Sequence, residues 1–170
     1  EHNCIDCGPF ADPCTECWAS AHASGGRAAA LGARVPICPT GALHWPARRL
    51  LVVSDLHFGK SERLARRGGT LLPPYETRAT LAKLDADLEA TSATQVICLG
   101  DSFDDDTAAE GLDGSDTLWL ARLMAGRDWT WITGNHDPGP VSIGGTHRAD
   151  RHLAPFTFRH IAAPGESAEI

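Results

Sequence analysis

Three short apolar runs punctuate an otherwise mixed chain: Leu50-Leu-Val-Val53, Val96-Ile-Cys-Leu99 and Trp129-Thr-Trp-Ile-Thr133. Each is too short for a helix and is rich in β-branched or aromatic residues, so each predicts a buried strand. Phe156 and Phe158 alternate with Thr157 and Arg159, the signature of a strand with one apolar face. Leu43 and Trp45 alternate ahead of Pro46-Ala-Arg48, which predicts a hairpin over residues 42–53. Between the first two runs, Leu81, Leu84 and Leu88 recur at helical spacing. Pro73-Pro74 open that helix, since proline is tolerated in a first turn. Leu118, Trp119 and Leu120, then Leu123 and Met124, predict a second helix, capped by Ser115, running to Ala125 and closed by Gly126. Strand, helix, strand, helix, strand is the rhythm of an α/β fold with a right-handed, largely parallel sheet.

Composition narrows the class. A chain of 170 residues with 42% hydrophobic content suits one domain with a sizeable core. The net charge of −7 argues against a nonspecific nucleic-acid binder with a basic surface. No run reaches the roughly 18 apolar residues of a membrane span, and no charged-then-apolar leader precedes the fold, so a cytoplasmic protein without membrane contact is expected. The chain starts at Glu1 rather than Met, which suggests a fragment or a processed start.

Residues 1–36 differ from the rest, being rich in Cys, Ala, Ser and Gly. Cys4-x-x-Cys7 and Cys14-x-x-Cys17 have the grammar of a zinc site, but only six residues separate the pairs, against about 15–20 in a zinc ribbon. Iron–sulfur spacings do not match either, and a disulfide framework does not suit a cytoplasmic enzyme. The competing reading is a disordered or non-native segment, favoured by the abrupt change of text near Ile37. The expected division is therefore 1–36 as an atypical segment and 37–170 as the folded domain.

The chemistry lies just past the strands. Asp55-Leu-His57 follows the first run, Gly100-Asp101-Ser-Phe-Asp104 the second and Gly134-Asn135-His136-Asp137 the third. Strand ends are where an open α/β sheet binds ligands. Two residues apart in an extended segment, Asp55 and His57 would point the same way, and an oxygen beside an imidazole suits a transition metal. An isolated D-x-H is usually a loop acid and a loop histidine with no joint role; three successive strands delivering such residues make a stronger pattern. His160 lies on the Phe side near the end of its strand, whereas His147 and His152 sit in polar text and read as surface residues. Lys60, Arg63, Arg66 and Arg67 follow the first motif. They are either a solvated face or contacts to the flanking phosphates of a polynucleotide. Beyond Asp101 and Asp104, the acids up to Asp116 read as a solvated loop.

In their order, D-x-H, G-D-x-x-D and G-N-H-D resemble the calcineurin-like metallophosphoesterase superfamily. Within it, Thr40-Gly-Ala-Leu-His-Trp-Pro46, the text from Asp55 to Arg63, and Leu72-Pro-Pro-Tyr75 are similar to the ligase-associated DNA damage response endonucleases. The resemblance covers roughly residues 37–170. It implies a four-layer α/β/β/α sandwich with two facing sheets. It also implies two divalent metal ions, with manganese favoured and iron, zinc or nickel compatible with mixed nitrogen and oxygen donors. On that pattern Asp55 and His57 bind the first ion, Asp101 bridges, and Asn135 and His160 bind the second. His136 would be the general acid, and Asp104 and Asp137 would hold histidines from behind.

The implied function is hydrolysis of DNA phosphodiester bonds in repair, with DNA as substrate and a ligase and a helicase as partners. Two other readings stay open: a phosphodiesterase or phosphatase for small nucleotides, and a metal-poor, non-catalytic scaffold. The superfamily also carries a later G-H-x-H pair. None occurs before Ile170, so the natural protein is expected to continue, and this sequence appears as a C-terminally truncated form of the fold.

Overall fold

The computed structural model describes residues 27–30, 33–61, 68, 75–105, 108–137, 139 and 142–161. Cys4, Cys7, Cys14, Cys17, Arg63, Arg66, Arg67 and the Pro73-Pro74 pair lie outside the described residues.

Nine strands are seen among them: β1 (Arg27–Ala30), β2 (Ala33–Pro36), β3 (Leu43–Trp45), β4 (Leu50–Val53), β5 (Gln95–Cys98), β6 (Asp128–Ile132), β7 (Thr146–Arg148), β8 (Asp150–Leu153) and β9 (Phe156–Arg159). The helices are α1 (Tyr75–Thr91), the single turn α2 (Ala108–Gly111) and α3 (Gly114–Met124). The main sheet has the order β3-β4-β5-β6-β7. Strands β4 to β7 pair in parallel, and β3 joins antiparallel through the 3-10 turn Pro46–Arg48, the expected hairpin. Arg49 closes that turn at φ 49°, its N–H donating to the Pro46 carbonyl.

Register decides where the chemistry falls. Val53 pairs with Cys98, and Cys98 with Trp131, so β4, β5 and β6 end nearly in step. Beyond the strands the β4 loop stays bonded to the β5 loop: the amides of Asp55, His57 and Phe58 donate to the carbonyls of Gly100, Asp101 and Ser102. All three motifs therefore emerge at one edge of the sheet.

Alternation along the strands builds two cores. Leu51, Val53, Val96, Cys98, Trp129 and Trp131 pack against Leu81, Leu84 and Leu88 of α1 and Leu120 and Leu123 of α3. On the other face, Leu50, Val52, Ile97 and Ile132 pack with Val35 and Trp45, and β8–β9 covers them with Leu153, Phe156 and Phe158. Arg151 of β8 ties the layers, donating to Thr130 Oγ1 at 2.6 Å and to Asp128 at 2.8 Å. Helices, parallel sheet and β hairpin form an α/β/β succession, a mixed α/β fold. The antiparallel ribbon β1–β2 falls within the 1–36 segment, and Val35 is buried, so ordered structure begins before Ile37.

Several local expectations change. Asp113, not Ser115, caps α3: its carboxylate accepts from the Ser115 amide, because an acid two residues earlier reaches the free first-turn donor. Leu118 is 73% exposed on the outer face of α3, and Trp119 is held instead by its indole N–H donating to Asp85. The acidic stretch is not simply a solvated loop. Its turn α2 buries Ala108 and Ala109, and buried Asp116 pairs with Arg78 at 3.1 Å. His147 and His152 lie in strands β7 and β8. His147 is half-buried and stacks on Trp131, whereas His152 is exposed as expected.

Candidate metal centre

Asp55 and His57 are not extended. Their φ values are 53° and 46°, and Asp101, also on a strand-end loop, is at 49°. Three non-glycine residues in the left-handed region, grouped in one place, mark backbone held against its preference by its surroundings. Parity along an extended strand therefore does not bring the side chains together. The turned backbone does, leaving Asp55 Oδ1 3.9 Å from His57 Nε2.

The hydrogen-bonding roles at each histidine follow from its partners. His160 Nδ1 lies 2.8 Å from the Leu99 carbonyl, which can only accept, so Nδ1 carries the proton. That leaves Nε2 free of the backbone and available to a cation through its lone pair. It faces Asn135 Oδ1 at 2.8 Å and Asp101 Oδ2 at 3.6 Å. His57 is turned in a similar way but without a hydrogen bond behind it: Nδ1 lies 3.3 Å from Asp104 Oδ1, within ion-pair distance but not aligned to donate, and Nε2 faces Asp55 Oδ1 at 3.9 Å. Imidazoles backed by a carbonyl or carboxylate, with lone pairs converging on carboxylate and amide oxygens, are arranged as metal ligands are. The donor set therefore fits divalent ions.

The ligand atoms of Asp55, His57 and Asp101 lie within 4.8 Å of one another, and so do those of His57, Asp104 and His136. His57 belongs to both trios, with Nε2 turned toward Asp55 and Nδ1 toward Asp104. His136 stands apart. Its Nδ1 lies 3.2 Å from the Asp104 carbonyl, its ring meets His57 edge-on at 5.2 Å, and its side chain is exposed. With Nδ1–H so committed, Nε2 is left to exchange a proton with solvent or substrate.

Asp137 has a different neighbourhood from the one expected. Among the described residues its hydrogen bonds come from backbone amides rather than from a histidine ring. Its Oδ1 accepts from the amides of Asp101 at 2.9 Å and Gly134 at 3.1 Å, and its Oδ2 from those of Ser102 and Phe103 at 2.8 and 3.1 Å. Asp101 Oδ1 returns the link by accepting from the His136 amide at 2.9 Å. These bonds staple the β5 and β6 loops together. Burial pushes the Asp137 carboxyl above its ordinary range, while the four amide hydrogen bonds pull it down. The close approach needs glycine: a Cβ on Gly134 would sit 2.2 Å from the Asp101 amide nitrogen, and one on Gly100 2.7 Å from the His160 ring. Sequence reading missed this staple, although the acid after G-N-H in a buried turn was its visible trace.

Lys60 is exposed just past the first motif. Next to it, the amide and hydroxyl of Ser61 donate to Glu76 of α1 at 2.8 and 2.5 Å. Burial raises the Glu76 carboxyl, but those bonds and the Lys60 charge outweigh it and hold the group below its usual range.

A parallel α/β sheet whose strand ends pool such donors defines a class of metal-site hydrolase folds. The family comparison is more specific: residues 48–166 match the calcineurin-like phosphoesterase family, and the chain belongs to it. That family uses divalent metals. Among solved structures the chain is similar to the nuclease MPE of Pseudomonas putida, at 30% identity and a TM-score of 0.58, over 74% of this chain and 60% of that one. The chain thus spans about three fifths of that nuclease's length. No curated protein matches the sequence.

Proposed function

We propose that this protein is a dinuclear, manganese-dependent phosphodiesterase that cleaves DNA. The observation that carries the reading is the convergence of His160 Nε2, Asn135 Oδ1 and Asp101 Oδ2 beside the Asp55–His57 pair. Asp55 and His57 would hold one ion, Asn135 and His160 the other, and Asp101 both. A carboxylate suits the shared position because it has two oxygens and a charge that offsets cation repulsion. Bound divalent ions would supply Lewis acidity at phosphorus and lower the pKa of the attacking water.

The chain's own residues do the rest. Asp104 stands behind the His57 ring, and the Asp137 staple fixes Asp101 relative to Asn135 and His136. His136, with Nδ1–H on the Asp104 carbonyl and a second proton on Nε2, would give that Nε2 proton to the leaving oxygen and be left as the neutral ring. A nucleic-acid substrate is supported by the name of the Pseudomonas putida nuclease, and DNA in particular by the flanking sequence text. A place in repair alongside a ligase and a helicase, in the cytoplasm, is supported by the flanking sequence text. Among the described residues no helix is long and apolar enough to cross a membrane. Lys60, Arg63, Arg66 and Arg67 would hold flanking phosphates of the strand. The cysteine pairs at 4–17, a candidate zinc site, lie outside the described residues and carry no step of this reading.

The test is cleavage of a DNA strand by the full protein after chelator treatment and add-back of single metals. Cleavage restored best by manganese is expected. A protein that hydrolyses only small nucleotides under every metal would instead establish the small-nucleotide reading.

A further inference from the structure

A pocket of about 290 Å³ opens directly beside Asp55, at the β4 side of the centre. It is separate from the hollow of about 370 Å³ that Asn135 and His160 line on the β6 side. Its walls come from the turn before β3, the loop after β4 and one face of α1, where Thr80, Leu84 and Asp87 recur at helical spacing. Ala42, Val53 and Leu84 give it an apolar floor. Hydroxyls of Thr40, Ser54 and Thr80 surround the floor, and exposed Lys83 stands at the rim. Asp87 is buried in the wall and accepts from the Thr40 hydroxyl.

We propose that this pocket receives the nucleoside group joined to the scissile phosphate on the β4 side. The inference rests on the phosphodiesterase reading above and adds what binds next to the phosphate. Position is the first argument, since a phosphate at Asp55 must carry one of its ester arms toward this opening. Chemistry is the second. An apolar floor takes the flat face of a base; the Thr80 hydroxyl, together with the oxygens of Thr40 and Ser54, whose protons go to Asp87 and Asp55, takes its polar edge and the sugar. A bare phosphate deep in the pocket would meet the carboxylates of Asp55 and Asp87, so a neutral ring fits better than an anion. Among the described residues lining the pocket the one cation is Lys83, which is exposed and placed to meet the next phosphate of a strand. Size is the third: the volume lies at the lower end for ligand pockets and accommodates one nucleoside unit rather than two.

Thymidine monophosphate and inorganic phosphate, each titrated into metal-free protein, separate the two chemistries. Amide resonances of Thr40, Ser54, Thr80 and Lys83 should move with the nucleotide and stay still with phosphate, and Thr80→Trp should abolish the response. With metal restored, Thr80→Trp should raise KM for a DNA strand about tenfold or more with kcat little changed. Its loss on p-nitrophenyl phosphate, which has a single ester arm, should be much smaller. Lys83→Ala, an exposed change that leaves the core intact, should raise KM for DNA by roughly threefold. Equal responses to phosphate and nucleotide, no response to either, or an unchanged KM in both variants would overturn the proposal. A wild type that cleaves no DNA would refute the nuclease reading instead, while the metal-free titration would still decide the pocket.

Discussion

Gly134 is the residue on which the centre's geometry depends most closely. Its missing Cβ leaves room for the Asp101 amide and carboxylate, both of which a methyl would approach to 2.2 Å. Gly134→Ala should therefore push the β5 and β6 loops apart and cost about 1–3 kcal/mol or more, read as a lowered melting temperature. Asp137→Asn replaces one carboxylate oxygen with an NH₂ that faces backbone donors. A loss of about 1–3 kcal/mol is expected from the amides left unsatisfied, with weaker metal retention. His136→Ala should slow turnover about 10²–10⁴-fold on a poor leaving group and less on p-nitrophenolate, with bound metal unchanged. Equal losses on both leaving groups would point away from an acid role. Burial, and secondarily the charge of Asp87, pushes the Cys38 thiol up to about 12. In the unfolded chain the thiol ionises near its ordinary value, about 8.5. Its contribution to stability is therefore complete below that pH and is lost as pH rises toward 12. Native-state alkylation at pH 8 should spare Cys38, and denaturant should expose it.

Among the elements, β4, β5 and β6 were legible because fully buried strands read as unbroken apolar runs, and α1 because its leucines keep helical spacing. The hairpin at β3–β4 was legible from alternation before a proline turn. Strands β7 and β8 were not: with one exposed face and polar residues such as Thr146 and Asp150, they show no run to recognise. The cap of α3 was misplaced because Asp113 and Ser115 are both good capping residues, and only the observed bond to the Ser115 amide separates them. The three motifs were readable as text. The left-handed backbone that brings Asp55, His57 and Asp101 together was not, since only tertiary hydrogen bonds hold it. The basic stretch after Asp55 belongs to this scale. If it grips DNA, replacing Arg63, Arg66 and Arg67 with Ala should raise KM for DNA and flatten its dependence on salt. A small diester such as bis-p-nitrophenyl phosphate should be little affected. Identical DNA salt slopes for the two proteins would mark these arginines as ordinary solvated side chains.

At the scale of the molecule, two apolar layers grip the sheet from both faces and leave its strand-end edge free to carry polar groups. That arrangement lets strained loops and converging acceptors persist, because the buried layers rather than the site supply stability. A net charge of −7 sets long-range repulsion against DNA, so any affinity for a strand must be local, from cations near the centre. The central claim is that the strand-end acceptors form a dinuclear metal centre bridged by Asp101. Its most direct test counts manganese bound per chain in the full protein and, in parallel, follows hydrolysis of bis-p-nitrophenyl phosphate, for wild type and Asp101→Asn. The account predicts about two ions and metal-dependent turnover in the wild type, with loss of at least one ion and of activity in the variant. Two ions and wild-type turnover retained by Asp101→Asn would contradict it.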